Sequence, residues 1–294
     1  LNMEVKLLNL LRCPECGAEL SLNEYDSVGV KVPLQDEEKS HLDPLEKQQE
    51  KIEGIDQLKD NDILEIETGM LHCFNDSSHV YPIVNGIPRM LPNAIDQHAD
   101  YIREKINSLP VDQIDNIVKN KNKNFKLEKE FIHTQESFSS EWNEIDSNVN
   151  AWGRDILYRQ KLFLQCFDLS ADELLGKRIL DAGCGHGEVV FSLLDFDIEI
   201  IAVDLSSSVD NIKSRIDGQF KNKKARVHII QGNVHKLPLI NKAFDVVHSA
   251  GVLHHTPDTY KGFKSISKKV KENGVCFIEV YSSDHKSLIE KYRK

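Results

Sequence analysis

From Arg154 onward, short apolar runs alternate with longer stretches of mixed character, and that alternation sets the expected architecture. A helix is expected over 154–167, with Ile156, Leu157, Leu162, Phe163 and Phe167 available for its apolar face. Strand-like runs follow at 178–181, 198–203, 227–230, 244–248 and 275–281, and helical stretches fill most of the gaps. Strands alternating with helices build an α/β, doubly wound parallel sheet with right-handed crossovers. Ahead of this region, residues 94–150 are amphipathic in patches. Ile102, Ile106 and Leu109 are spaced for one face there, so a helical linker or lid is expected. Residues 26–63 are polar and acidic and read as an insertion, whereas 1–25 and 64–93 carry the Cys, His, Pro and Gly punctuation of a small loop-rich module. The expected division is therefore 1–93, 94–150 and 151–294.

Composition narrows the classes. Hydrophobic residues fill 40% of the 294 positions, enough for a substantial core. No apolar run reaches the ~18 residues that a membrane-spanning helix needs, so no membrane partner is expected. The opening LNMEVKLLNLLRCPEC lacks the small-residue cleavage site of a signal peptide, which makes the cytoplasm the expected location. A formal charge of −10 weighs against a nonspecific nucleic-acid surface, which normally shows a basic stripe. Six cysteines are too sparse for a secreted disulfide framework. Cys13, Cys16 and Cys73 lie near histidines, a pattern that suits a metal, and Cys166, Cys184 and Cys276 are expected as reduced packing residues.

The strongest chemical signal is Ile179-Leu180-Asp181-Ala182-Gly183-Cys184-Gly185-His186-Gly187-Glu188. An apolar strand runs into three glycines spaced by two and then into a helix. Glycines let the chain turn sharply and let a ligand press against bare backbone near helix N–H groups. A dinucleotide fingerprint would read G-x-G-x-x-G, which this loop departs from at Glu188. The next strand, Ile201-Ala202-Val203-Asp204, ends in a carboxylate able to accept hydrogen bonds from both hydroxyls of an adenosine ribose.

This stretch resembles the class I S-adenosylmethionine-dependent methyltransferases, whose first motif is the same D-x-G-C-G-x-G on a Rossmann-like sheet. The resemblance continues through Val203-Asp204-Leu205-Ser206, Gln231-Gly232-Asn233 with Leu237-Pro238, Phe244-Asp245-Val246-Val247, and Gly251-Val252-Leu253-His254-His255. It implies S-adenosyl-L-methionine as cofactor. Gly183, Gly185 and Gly187 would shape the loop around the methionine portion, Asp181 would sit near its ammonium group, and Asp204 would bind the ribose. Asn233 would lie beside the adenine, where the family usually has Asp, and an amide oxygen can still accept from the adenine amino group. Cys184, Leu205, Val234 and Ala250 complete the cofactor contacts so implied.

In such enzymes positioning carries much of the catalysis, and a base is needed only where the acceptor must lose a proton. His254 and His255 follow the fourth strand at its carboxyl end. One of them is expected to touch the methyl group or to act as the base, or else to pack and shape the cofactor site. The segment Gln135-Glu136-Ser137-Phe138-Ser139-Ser140-Glu141-Trp142 resembles the aromatic lid of related methyltransferases, and a Ser-capped helix start explains it equally well.

Cys13-Pro14-Glu15-Cys16-Gly17 has the composition of a zinc knuckle, since two thiolates two residues apart share one tetrahedral ion. The second pair would be Cys73 and His79, with His72 as a substitute for the fourth ligand. Together with Tyr81-Pro82-Ile83-Val84-Asn85-Gly86-Ile87-Pro88-Arg89-Met90-Leu91, this region resembles the small zinc-ribbon family of methyltransferase activator proteins. A structural Zn²⁺ held by Cys13, Cys16, Cys73 and His79 is what that resemblance implies.

Members of the methyltransferase family normally have seven strands, in order 3-2-1-4-5-7-6. The chain stops soon after the fifth, so a fragment is expected, or else a partner covering the open edge. The leading functional expectation is methyl transfer to a small-molecule acceptor. Two alternatives remain. One is an enzyme acting on ribosomal or transfer RNA, as some 23S ribosomal RNA guanine methyltransferases resemble this layout. The other is a non-catalytic partner or activator, with a protein bound through the zinc-ribbon module or the fifth-strand edge.

Overall fold

Two sheets form, and the period of their apolar positions decides the character of each. The computed structural model describes residues 1–28, 65–106, 134–140, 155–220 and 223–281. The acidic insertion, apart from its first few residues, and much of the stretch 107–154 therefore lie outside the described residues, as does Leu109. The first sheet is antiparallel and comprises β1 (Met3–Glu4), β2 (Leu20–Val28), β3 (Glu65–Cys73), β4 (Val80–Val84) and β5 (Ile87–Pro88). Strand β3 pairs with β1, β2 and β4, so the two halves of the module flanking the insertion meet along one ladder. The β4–β5 hairpin turns at Asn85-Gly86, both at positive φ, which is the preference of a tight two-residue hairpin. Gly86 is required there: a Cβ would stand 2.6 Å from the Asn2 Cα. Two short helices follow, α1 (Ala94–Gln97) and α2 (Ala99–Lys105), with Ile102 and Ile106 buried as their spacing predicts.

The second sheet is parallel: β6 (Arg178–Ala182), β7 (Glu199–Asp204), β8 (Arg226–Gln231), β9 (Phe244–Ala250) and β10 (Val270–Glu279), in the order β10-β9-β6-β7-β8. Every residue of β7 is buried, as expected for a central parallel strand covered on both faces. The intervening helices are α3 (Ile156–Phe167), α4 (Glu188–Ser192), α5 (Ser208–Gln219) and α6 (Thr259–Ser267). Asp155 caps α3 by accepting from the Tyr158 N–H at 2.6 Å. The expected apolar face of α3 is only partly realised: Phe163 is buried, whereas Leu157 is 71% exposed. Strand β10 begins five residues earlier than its apolar run suggested, because a register shift at Asn273-Gly274 is absorbed without ending the pairing with β9. Its residue Cys276 is exposed, contrary to the packing role expected for it.

The antiparallel sheet closes the β8 edge of the parallel one. Arg89 bridges Gln231 in parallel, Leu11 bridges Leu239, and Ile240 N–H donates to Leu10 O at 2.8 Å. Leu7, Leu8, Leu11 and Met90 share one apolar cluster with Leu180, Ile201, Ile230 and Leu239. Between the sheets, Arg89 is 1% exposed and reaches Asp210 of α5 and Gln231 of β8. Among the described residues, no helix is long and apolar enough to cross a membrane.

Candidate functional site

The strand order reverses between β6 and β9, and open α/β sheets bind ligands in the crevice outside such a switch point. A cleft of about 1000 Å³ opens there. Its floor is the loop after β6, where Gly183, Gly185 and Gly187 take φ values of 85°, 54° and 89°, which other residues rarely adopt. At Gly183 a Cβ would also collide with Val252, so the loop passes where no side chain fits. Gly187 opens α4, and Cys184 is buried within the turn, where burial pushes its thiol well up.

Asp204 and Asp181 both line the cleft, in different states. Asp204 accepts from the Gly185 N–H at 2.8 Å, and from the Ser206 N–H at 2.9 Å and hydroxyl at 2.6 Å. Burial raises its pKa against these three donors. Asp181 accepts from His248 Nδ1 at 2.9 Å through one oxygen, whereas Oδ2 is buried and has no partner. A buried carboxylate oxygen left so is costly unless a donor or cation arrives, and the ammonium of an amino-acid-like ligand is such a group. Leu205, Asn233, Val234 and Ala250 also line the cleft. The Asn233 amide oxygen caps the following turn by accepting from the His235 N–H at 2.8 Å, which leaves it a second lone pair.

The two histidines after β9 lie with their rings 4.1 Å apart, but only His255 is in the cleft lining. His255 lines the cleft and meets Phe138 edge-on at 5.5 Å. His254 stacks on Tyr281 at 3.7 Å and accepts from the Tyr281 N–H at 3.3 Å, with burial lowering its pKa. Thr134, Ser137 and Phe138, from the helical stretch 134–140, cover one side of the cleft. That stretch is tied down where Gln135 Oε1 accepts from Asn93 at 3.1 Å and Ser139 Oγ accepts from the Ser207 N–H at 3.1 Å. Glu141 and Trp142 of the expected lid lie outside the described residues.

Sequence reasoning missed several cleft residues. His248 is among them: it stands on β9 directly beside Asp181 and stacks on Phe277 at 5.9 Å, with Phe163 at 5.6 Å. A lone histidine in an apolar strand reads as core, and only the strand register pairs it with Asp181. Arg159 of α3, ion-paired with Glu188, and Glu15 of the Cys13–Cys16 turn, ion-paired with Lys236 at 2.5 Å, line the cleft as well.

Within the first module, and next to the Pro14 and Glu15 that line the cleft, Cys13, Cys16, Cys73 and His79 place their ligand atoms within 4.8 Å of one another. The Cys16 and Cys73 sulfurs are 3.4 Å apart, and Cys13 Sγ is 3.5 Å from His79 Nδ1. Tetrahedral zinc with Zn–S bonds of about 2.3 Å needs sulfur separations near 3.8 Å, so the donor set fits that ion with small adjustments. His79, rather than His72, completes the cluster.

Residues 180–278 match the family model described as a methyltransferase domain, and residues 4–86 match that of Trm112p-like proteins. The chain joins a class I methyltransferase domain to a Trm112p-like module. A tRNA U34 carboxymethyltransferase from Campylobacter jejuni is 30% identical over 121 residues, 40% of either protein. A demethylmenaquinone methyltransferase from Lactococcus lactis is 30% identical over 146 residues, 48% of this chain and 54% of that protein. The chain thus spans well under two thirds of the length of these curated relatives. Among solved structures, an S-adenosylmethionine-dependent methyltransferase from Clostridium acetobutylicum matches at 20% identity and a TM-score of 0.37, covering 47% of this chain and 56% of that one. Both family matches fall on the two sheets described above. The junction between them is therefore where the Trm112p-like module caps β8 of the methyltransferase domain and its Glu15 reaches the cleft.

Proposed function

We propose that the cleft binds S-adenosyl-L-methionine and that the protein transfers its methyl group to a base of an RNA. The observation that carries the cofactor reading is the unpartnered Asp181 Oδ2 beside a glycine loop too tight for side chains. On this reading Asp181 holds the cofactor ammonium, with Gly183, Cys184, Gly185 and Gly187 around the methionine portion. Asp204 and Leu205 receive the ribose, and Asn233 and Val234 border the adenine. The bound cofactor supplies an electrophilic methyl on a sulfonium. The chain's part is to hold the acceptor in line and exclude water. Ala250 and His255 border that position, and His255 is the group placed to take a proton from the acceptor. His254 supports it from behind through Tyr281. Zn²⁺ on Cys13, Cys16, Cys73 and His79 is structural, with four protein ligands and no open position.

The tRNA-modifying relatives favour RNA over the small-molecule acceptor expected from the sequence. A small apolar acceptor remains as a second reading, favoured by the Phe163 and Phe277 wall of the cleft and by the demethylmenaquinone relative. The test is incubation with a methyl-labelled cofactor and bulk tRNA, followed by mass analysis of the nucleosides. A methylated nucleoside is expected. Label absent from RNA but present in a quinol-type acceptor offered in a parallel incubation would move the assignment to the second reading, and label in neither would overturn methyl transfer from this cofactor.

A further inference from the structure

Beside the cleft, α6 turns an unusual face to solvent. Its inner side is pinned: Gly262 and Ile266 are buried, and a Cβ on Gly262 would stand 2.6 Å from Leu253. Its outer side shows Tyr260, 66% exposed, and Phe263, 45% exposed, with nearly parallel rings 6.5 Å apart. The Lys264 ammonium lies 4.5 Å above the Tyr260 ring. Lys261 on the same helix and Lys268 at its C-terminal cap are exposed, and Lys261 also lines the cleft. The nearest acid in sequence, Asp258, is used as the helix cap, accepting from the Lys261 N–H at 2.8 Å. In a protein of net charge −10, this concentration of cations around two bare rings is a local reversal.

Aromatic faces interleaved with lysines suit one kind of ligand well. Bases stack on rings whatever their sequence, and phosphates pair with the cations between them. We propose that the outer face of α6 is a docking surface for single-stranded RNA. Tyr260 and Phe263 stack its bases, Lys264 and Lys268 hold its phosphates, and Lys261 leads the strand into the cleft, where His255 and Phe138 stand. This rests on the RNA reading of the preceding section and assigns to it a surface and a strandedness. A duplex buries its base faces, so it cannot use the platform.

The test is fluorescence anisotropy of the full protein with a labelled single-stranded RNA and with the same sequence as a duplex. Cofactor titration of each variant reports folding. Single-stranded RNA should bind more tightly than duplex, and Tyr260→Ala with Phe263→Ala should weaken it roughly 10- to 100-fold. Tyr260→Trp should retain binding, and Lys264→Glu with Lys268→Glu should flatten its salt dependence. Cofactor affinity should be unchanged in all of these. If single-stranded RNA binds equally well with both rings removed, the platform is overturned while the RNA reading stands. If the protein methylates tRNA but prefers duplex, the strandedness is wrong. If cofactor binds but no RNA does, both the surface and the RNA acceptor fall together.

Discussion

Asp204 and Asp181 stand at the carboxyl ends of two paired strands, yet their partners give them different surroundings. Asp204 already gathers three donors, and the proposed ribose diol would use its remaining lone pairs. An Asp204→Asn change should weaken S-adenosyl-L-methionine binding roughly 10- to 100-fold, the scale of hydrogen bonds to a charged acceptor. The two histidines after β9 make a sharper contrast. His255→Ala should lower methyl transfer with cofactor affinity unchanged. His254→Ala should act mainly on thermal stability, through its stack on Tyr281, and equal effects on turnover would contradict the placement. At this scale the sequence was legible where chemistry is local. Glycines at alternate positions after an apolar strand mark the tight loop that floors the cleft, and the CxxC turn marks half of the Cys13, Cys16, Cys73 and His79 cluster. His248 was illegible because its partner lies across a strand register, and nothing in LHH distinguishes which ring faces the cleft.

Between elements, a buried triad ties β6, β7 and β8 together. Glu199 accepts from Arg178 Nε at 2.5 Å and lies 3.2 Å from His228 Nε2. Burial alone would raise the Glu199 pKa, but His228 and Arg178 outweigh it and lower the pKa to about 2. A carboxylate depressed in the folded state stabilises above its unfolded pKa, and that contribution fades as pH falls toward the folded value. Stability should therefore drop by up to about 3 kcal/mol as pH falls from about 4.5 to about 2. Denaturant titrations across that range, on wild type and Glu199→Gln, check this, since the variant should show the flatter profile. Strand positions in this sheet were readable from apolar runs alone. The early start of β10 was not, because Asn273-Gly274 carries the sequence signature of a turn and serves instead as an irregularity within the ladder.

Across the whole molecule, one apolar cluster runs from the Trm112p-like module into the parallel sheet, so the two should melt together. Arg89 locks that junction asymmetrically, being buried while Asp210 is 43% exposed. Asp210→Ala strands a buried guanidinium and should cost more, on the order of 3 kcal/mol, than Arg89→Met, which leaves a carboxylate that water can reach. Calorimetric melting of both variants decides the order, and a smaller loss for Asp210→Ala would contradict the junction. Stripping the proposed zinc with a chelator should lower the melting temperature of the single transition rather than release one half alone. None of this docking was legible in the sequence. The module was recognisable from its knuckle and hairpin, but its contacts pair residues more than a hundred positions apart and depend on three-dimensional packing.

On the proposed reading, the loop after β6 and the carboxylates of Asp181 and Asp204 form an S-adenosyl-L-methionine site. Isothermal calorimetry of the protein with that cofactor, alongside Asp204→Asn, tests it most directly. Saturable one-site binding, weakened roughly 10- to 100-fold in the variant, is the predicted result. A folded protein that takes up no cofactor, or that binds it equally well without the Asp204 charge, would contradict the account.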